Sequence, residues 1–452
     1  MLLEELKDKK ILILGLGREG LDTFFCLRKL FPKKILGIAD SNEKVKEKIK
    51  KKEKVRWHLG KNYLKALKKY DLIIKSPGIP IHLPEIERAY REKKITSQTE
   101  LFFKNCPAKI IGITGTKGKG TTSFILEKIL KKGGYKPFLV GNIERPALGY
   151  LLKTYKLALS DPKVLYIYEV SSHQLYKLKR SPQIAIFLNL YPAHLDFFKS
   201  FKEYILAKTN ICRYQKGFDI LIYNDKDPLI KKIIKKSPAK KIPISSALPY
   251  SKKIPQGLTI VHPTILKAVL LTAKLLNVPQ KIIFETIKKF KGLPHRLEFV
   301  GEFKKIKFYD DSLATIPQST IFAIKALAKN LQTIFLGGSE NYTEVEELAE
   351  KILKGQIKNI IFFPDTGEKI CQKIIEIAER KPNFKKRIKK IKFFFVDNMK
   401  DAVKIAYQNT EKGKACLLSP AYPSFSLFRD YKERGKLFKK YVKLYAKKKK
   451  IS

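Results

Sequence analysis

Apolar residues come along this chain in two patterns. KKILILG, KKILGIAD and YDLIIKSPGIP carry short unbroken apolar runs, whereas REGLDTFFCLRKLF repeats its apolar positions every three or four residues. The first pattern predicts strands buried on both faces, and the second predicts helices with one buried face. Their alternation over residues 1 to 98 predicts a doubly wound parallel sheet, with a late strand stopped by Pro77, Gly78 and Pro80. A second block opens at AKIIGITGTKGKGTTSFILEKILKKGG, which reads as strand, glycine-rich loop and helix ended by Gly133 and Gly134. VLYIYEVSS and QIAIFLNL add strands, and the block closes near KKFKGLPHRLE, giving a second domain over 99–297. KIKFYDDS, TIFLGGS, NIIFFPD, KIKFFFVD and ACLLSPA, with helical stretches between them, predict a third α/β domain over 298–452.

Two loops in this pattern carry chemistry. Gly115, Thr116, Lys117, Gly118, Lys119, Gly120 and Thr121 lie between the strand KIIGIT and the helix TTSFILEKIL. Glycines there let backbone N–H groups converge on a phosphate, the helix N-terminus adds partial positive charge, and Lys119 can neutralise phosphate oxygens. The spacing is the short GTxGK form of a phosphate loop. Earlier, Gly15, Gly17 and Gly20 form GLGREG after the first strand, with Asp40 following twenty residues later. That is a dinucleotide-type fingerprint, which signals a nucleotide-like ligand without naming it. Two nucleotide-type loops in one chain argue against a simple dehydrogenase.

Composition narrows the class. The 452 residues are 44% hydrophobic and 11% aromatic, enough to build several cores. Cys26, Cys106, Cys212, Cys371 and Cys416 are scattered without a CxxC pair, which fits reduced thiols in a cytosolic protein better than a disulfide framework or a zinc ribbon. No apolar run reaches the roughly 18 residues of a membrane span, and the opening MLLEELKDKK has no apolar signal region. Charge is lopsided: 94 Lys and Arg against 42 Asp and Glu give +52. The lysines run along the whole chain, which fits compositional bias better than a nucleic-acid face, and the resulting field still attracts anionic phosphates.

The segments GLGREG, KSPGIP, TGTKGKGTT, GNIERP, YEVSSHQL, NLYPAHLDFF, YILAK, YNDKD, GLPHRLE, YDDSLAT, LGGS and LLSPAYPSFSLFRDYKERGKLF span nearly the full length. In this order the chain resembles the Mur ligases, and its last two segments resemble the members that add D-glutamate. The resemblance implies a Rossmann-like N-terminal domain for the UDP substrate, a central P-loop ATPase domain with a mostly parallel sheet, and a Rossmann-like C-terminal domain for the amino acid. It implies a cytoplasmic, monomeric enzyme that joins D-glutamate to UDP-N-acetylmuramoyl-L-alanine with ATP and Mg²⁺, through an acyl phosphate, in peptidoglycan precursor synthesis.

The same resemblance implies roles residue by residue. Gly17, Arg18, Glu19, Asp40 and Ser41 would hold the uridine nucleotide, and Ser76, Pro77 and Gly78 would touch the diphosphate. Asn142 and Ser171 would lie near the sugar nucleotide. Glu169, His194 and Thr121 would be metal ligands, Lys119, His194 and Lys208 would serve catalysis, and Lys208 would carry a carbamate. Arg296 and Asp311 would contact ATP; Thr315, Ser424 and Tyr431 would contact the amino acid.

Several positions depart from the family pattern. Gly120 stands where a hydroxyl residue is usual after the loop lysine, in a GKGT form that resembles folylpolyglutamate synthase. Ala193 replaces an aspartate, His173 a phenylalanine and Leu266 an asparagine. Leu313 stands in place of one lysine expected to pair with the glutamate carboxylates, and Asn341 in place of the other. The residues therefore leave open a related ligase that uses L-glutamate or another acceptor. They also leave open a homologue that binds a UDP-sugar without catalysis, and a basic P-loop protein that binds nucleic acid.

Overall fold

The computed structural model describes residues 3–143, 145–247, 261–290, 292–340 and 344–447, and it is α/β throughout. The described residues divide into two compact units, one formed by the chain up to residue 247 with Pro263–Lys288, the other by the chain from Lys289 onward. Two sheets lie in the first unit and one in the second, which gives the three-domain plan. All five cysteines are free. No helix among the described residues is long and apolar enough to cross a membrane.

The first sheet contains β1 (Ile11–Leu14), β2 (Leu36–Asp40), β3 (Val55–Leu59), β4 (Leu72–Lys75) and β5 (Ile95–Thr96), in the order β3-β2-β1-β4-β5 and parallel throughout. All four residues of β1 and of β4 are buried, because helices cover both faces of the sheet. The chain runs outward from β1 in one direction and from β4 in the other. Their adjacent carboxyl ends therefore form the switch point at which an open sheet leaves a crevice. Gly15 ends β1 there with φ +86°, and the Ser76 hydroxyl donates to its carbonyl at 2.6 Å.

The second sheet contains β6 (Lys109–Thr114), β7 (Lys136–Gly141), β8 (Val164–Glu169), β9 (Ile184–Phe187), β10 (Ile220–Tyr223) and β11 (Lys240–Pro243), in the order β11-β10-β9-β6-β8-β7, again parallel. The carboxyl ends of β6, β8 and β9 are neighbours, so the loops that follow them meet. An aromatic seam made by Phe102, Phe103, Tyr166 and Tyr168, with centroids 5.1–5.4 Å apart, packs the helix Gln98–Asn105 onto β8. One continuous core runs from the first sheet through this seam into the second.

In the second unit, β12 (Glu298–Phe303) and β13 (Ile306–Asp310) form an antiparallel edge hairpin. Beyond it, β17 (Ala415–Leu418), β14 (Leu331–Leu336), β15 (Asn359–Phe362) and β16 (Lys392–Phe395) continue the sheet in parallel. The apolar runs located β1, β2, β4, β6, β8, β9 and β13 to β17. They did not reveal β5, β7, β10 and β11, nor β3 and β12, which lie at sheet edges and keep Arg56, Glu298 and Glu302 in their sequences. An edge strand has less buried surface, so charged residues interrupt its apolar pattern.

Candidate active site

The glycine-rich loop leaves β6 at the centre of the second sheet. Gly118, with φ +87°, caps the helix Lys119–Lys132, so Lys119, Gly120 and Thr121 occupy its first turn. A Cβ on Gly115 would lie 2.9 Å from Leu188 Cβ, which explains why glycine is needed where the loop crosses β9's exit. Asn189 braces the loop from that exit: its Oδ1 accepts from Lys117 N at 2.9 Å and its Nδ2 donates to Lys117 O at 3.0 Å. The Thr116 hydroxyl bonds Tyr204 at 2.9 Å and accepts from Tyr191 N at 3.0 Å. The loop is therefore held from the outside, while Lys119 Nζ folds back over it onto Gly115 O (2.9 Å) and Thr116 O (3.3 Å).

Around this loop the structure gathers Lys208, Glu169, Asn142 and His194. Lys208, 1% exposed on the helix Phe201–Arg213, donates to Gly115 O at 2.9 Å and Thr114 Oγ1 at 3.3 Å. Burial, reinforced by the Lys119 charge, pushes its amine well below the usual lysine range, with Glu169 opposing. Glu169 ends β8, buried; Asn142 donates to its Oε1 at 2.9 Å, and among the described residues its buried Oε2 has no hydrogen-bond partner. Gly141, with φ +100°, lets the Asn142 turn press onto the Glu169 carbonyl. The His194 residue is exposed, with φ +57°, but its ring lies 4.8 Å from the His173 ring and 6.3 Å from the Tyr204 ring. Desolvation there, with the charges of Lys119, Lys208 and Lys117, lowers its imidazole to about 4. Burial and the neighbouring His194 lower His173 to about 3, so neither ring carries charge near neutrality.

This donor set suits a hard divalent cation. A buried carboxylate oxygen without a partner is costly unless something charged meets it, and a neutral imidazole close to Lys119 and Lys208 is a competent ligand. The hydroxyls of Thr122 and Ser123 bond carbonyls of their own helix, Gly118 O and Lys119 O. Thr121 makes no such bond and is the hydroxyl left beside Gly120. Leu266 is buried on the helix Pro263–Leu275 and offers no polar group, while its neighbour Ile265 packs under Gly118.

Most of the predicted UDP-site residues surround the first sheet's switch point, Asn142 and Ser171 follow strands of the second sheet, and several are already engaged. Asp40 accepts from Leu16 N at 2.7 Å and Asn42 N at 2.9 Å, which pins the glycine loop. Glu19 accepts from Gln174 Nε2 at 2.6 Å across to the turn after Glu169, and burial raises its carboxyl to about 7. Ser171 caps that turn in a capping box with Gln174. Gly17, Arg18 and Ser41 are exposed at the crevice, and Ser76, Pro77 and Gly78 border it. Gln174, Tyr204 and Lys75 were missed in the sequence, because nothing local distinguishes them from ordinary core or surface residues.

In the second unit, Arg296 sits in a turn whose flanking residues His295 and Leu297 have φ of +61° and +47°. Asp311 locks that turn, accepting from Leu297 N at 3.0 Å and from the Ser419 hydroxyl at 2.8 Å; burial raises its carboxyl to about 7. His295 Nδ1 meets Asp310 at 2.7 Å. Glu298 and Asp310 are in turn paired with Lys439 at 2.9 and 3.6 Å, so this cluster is already neutralised. Ser424 is buried, Thr315 and Tyr431 are half-buried, and the Tyr431 carbonyl accepts from Ser312. Fully buried Arg434, unforeseen in the sequence, holds this region through Ser312, Tyr422 and Pro423 carbonyls. Leu313 places an apolar side chain where a cation was expected, and Asn341 lies outside the described residues.

Comparison with known proteins agrees with this architecture. Three family models match in sequence order: the Mur ligase MurD-like N-terminal domain over residues 9–96, the Mur ligase middle domain over 113–265 and the Mur ligase glutamate ligase domain over 295–422. The chain belongs to the Mur ligase family and is an ATP-dependent, ADP-forming ligase of peptidoglycan synthesis. Within that family it is similar to UDP-N-acetylmuramoylalanine–D-glutamate ligases. It is 30% identical to the one from Acetivibrio thermocellus and 32% identical to the one from Clostridium botulinum strain Loch Maree, covering 97% of each chain in both cases. Among solved structures, MurF ligase from Thermotoga maritima in complex with ADP superposes with a TM-score of 0.56 at 16% identity. That match covers 98% of this chain and 97% of the other, and it bears on the fold alone.

Proposed function

We propose that this protein joins D-glutamate to UDP-N-acetylmuramoyl-L-alanine at the expense of ATP. In this reading residues 1–98 hold the UDP substrate, 99–297 bind ATP and 298–452 bind the amino acid. The observation that carries it is the cluster at the carboxyl ends of β6, β8 and β9: Glu169 Oε2 has no partner among the described residues, Lys208 feels the charges of Glu169 and Lys119, and His194 feels those of Lys119 and Lys208. The relatives named above support the choice of substrates.

The chemistry follows from charge. A carboxylate is a poor electrophile, and transfer of the terminal phosphoryl of ATP onto it makes an acyl phosphate with a good leaving group. The amine then attacks the carbonyl carbon and phosphate departs. Gly115 to Thr121 would bind the triphosphate through backbone N–H groups, and Lys119 would leave its carbonyl partners for the phosphate oxygens. Glu169, His194 and Thr121 would hold Mg²⁺, which supplies charge neutralisation between crowded anions. Lys208, driven toward its neutral amine by burial, is suited to add CO₂: nitrogen attacks carbon, a proton leaves, and a carbamate anion replaces an ammonium beside Glu169. Arg296, its turn fixed by Asp311, would contact ATP, and Thr315, Ser424 and Tyr431 would line the amino-acid site.

Purified protein supplied with ATP, Mg²⁺ and UDP-N-acetylmuramoyl-L-alanine should release phosphate fastest with D-glutamate. No release with any amino acid would refute the ligase reading. Faster release with L-glutamate or another amino acid would keep the reaction and replace the acceptor, an outcome that Leu313 makes worth measuring.

A further inference from the structure

Lys75 stands at the carboxyl end of β4, and no role drawn above uses it. It is 6% exposed. Among the described residues its ammonium donates to one acceptor, the carbonyl of Ser76 at 3.2 Å, and sits 5.9 Å from the centre of the Phe197 ring. An ammonium carries three donors, and burial removes the water that would satisfy the others. Burial lowers its pKa to about 8, with the Glu19 carboxylate opposing. Among the described residues Glu19 does not close an ion pair with it; its Oε1 accepts from Gln174. The first unit thus keeps a buried cation whose hydrogen-bonding capacity is mostly unused.

Its position says what it awaits. Leu14 of β1 is the register partner of Lys75, so Lys75 and the loop Gly15-Leu16-Gly17 leave the sheet side by side at the switch point. That loop opens the thirteen-residue helix Arg18–Leu30 with Gly17 as its N-cap, and a Cβ built on Gly17 meets nothing within 4 Å. Free space, a helix N-terminus and a buried ammonium with spare donors make an anion site. Phe197, whose ring centre lies 5.9 Å from the ammonium, meets His173 at 4.1 Å with the rings tilted by 59°, and His173 in turn meets His194. These rings run from Lys75 to His194, which feels the charge of Lys119 in the phosphate loop. A ligand reaching from the nucleotide fingerprint to that loop would bring its internal anionic group past Lys75.

We propose that Lys75 binds the diphosphate of the nucleotide-sugar substrate, fixing its affinity and position without taking part in phosphoryl transfer. The proposal rests on the reading of this protein as a ligase that acts on a UDP-linked sugar. In that role Lys75 is a binding residue outside the phosphate-loop cluster.

The test compares UDP with uridine, which differ by the diphosphate. Calorimetric titration of the full chain should show UDP binding more tightly than uridine. Lys75→Met should weaken UDP by about 30-fold or more, the loss expected when a buried charge loses its partner. Uridine binding by the same variant should stay within about threefold, which reports an intact fold. KM for UDP-N-acetylmuramoyl-L-alanine should rise in parallel with the UDP loss while kcat changes little, and Lys75→Arg should regain part of the UDP preference. Equal losses for UDP and uridine, or no loss, would overturn the proposal and leave Lys75 a structural cation. Wild-type protein that binds UDP no better than uridine would overturn it as well. Lys75-dependent UDP binding in a protein that releases no phosphate from ATP would uphold the anion site and refute the ligase reading alone.

Discussion

At the scale of single residues, the site is built from charges whose surroundings set their state. Lys119 folds onto the loop carbonyls of Gly115 and Thr116, at the surface of the loop rather than in a core, where phosphate can meet it. Lys119→Ala should lower turnover by about a thousandfold or more while the thermal unfolding curve stays near wild type. Glu19 gives a pH-dependent counterpart. Its carboxyl, ordinarily near 4.5, is raised to about 7 chiefly by burial. Between those values the folded protein keeps a proton that the unfolded chain has released, so Glu19 costs stability as pH rises from 4.5 and the cost is complete above about 7. Glu19→Gln keeps an acceptor for Gln174 and abolishes the titration. It should match wild type below pH 4.5 and exceed it above pH 7 by on the order of 1–3 kcal/mol, read from denaturation curves at both ends of that range. The spacing of the phosphate loop made Lys119 legible in the sequence. The protonation of Glu19 was not legible, because it depends on burial by distant segments, which the hydrogen bond from Gln174, 155 residues away, only partly opposes.

At the scale of elements, two close approaches explain a glycine that propensity alone would misjudge. Gly435 lies inside the helix Tyr431–Lys447, where alanine is ordinarily preferred by about 1 kcal/mol. A Cβ there would come within 2.1 Å of His295 Nδ1 and 2.7 Å of Asp310 Oδ2, in the cluster that supports the Arg296 turn. Gly435→Ala should therefore destabilise by about 1–3 kcal/mol, seen as a lower urea midpoint. It should also raise KM for ATP if Arg296 contacts the nucleotide. Most interior strands announced themselves as apolar runs, since both faces are covered; β10 did not. Edge strands β3 and β12, and the αL turn around Arg296, did not: the first carry charges, and the second is strained backbone held by Asp311 rather than by its own residue types.

At the scale of the whole molecule, the charge of +52 is a field rather than a motif. Its long-range part is screened within about 10 Å at 0.1 M salt. If it steers anionic substrates, kcat/KM for ATP should fall between about 50 and about 300 mM salt while kcat at saturation holds nearly constant. Steady-state kinetics across that range decide the matter, and a flat kcat/KM would assign the lysines to composition alone. The sequence by itself determined most of the interior strands, the phosphate loop and the family. These are written in local spacing, which a strand or a glycine turn needs within a few residues of itself. Only the tertiary structure decided that Asn189 and Tyr204 brace the loop, that Glu169 keeps an unpartnered oxygen, and that Lys75 and Lys208 are sealed from water. Desolvation and hydrogen-bond satisfaction depend on which distant segments pack together, and no local pattern encodes that.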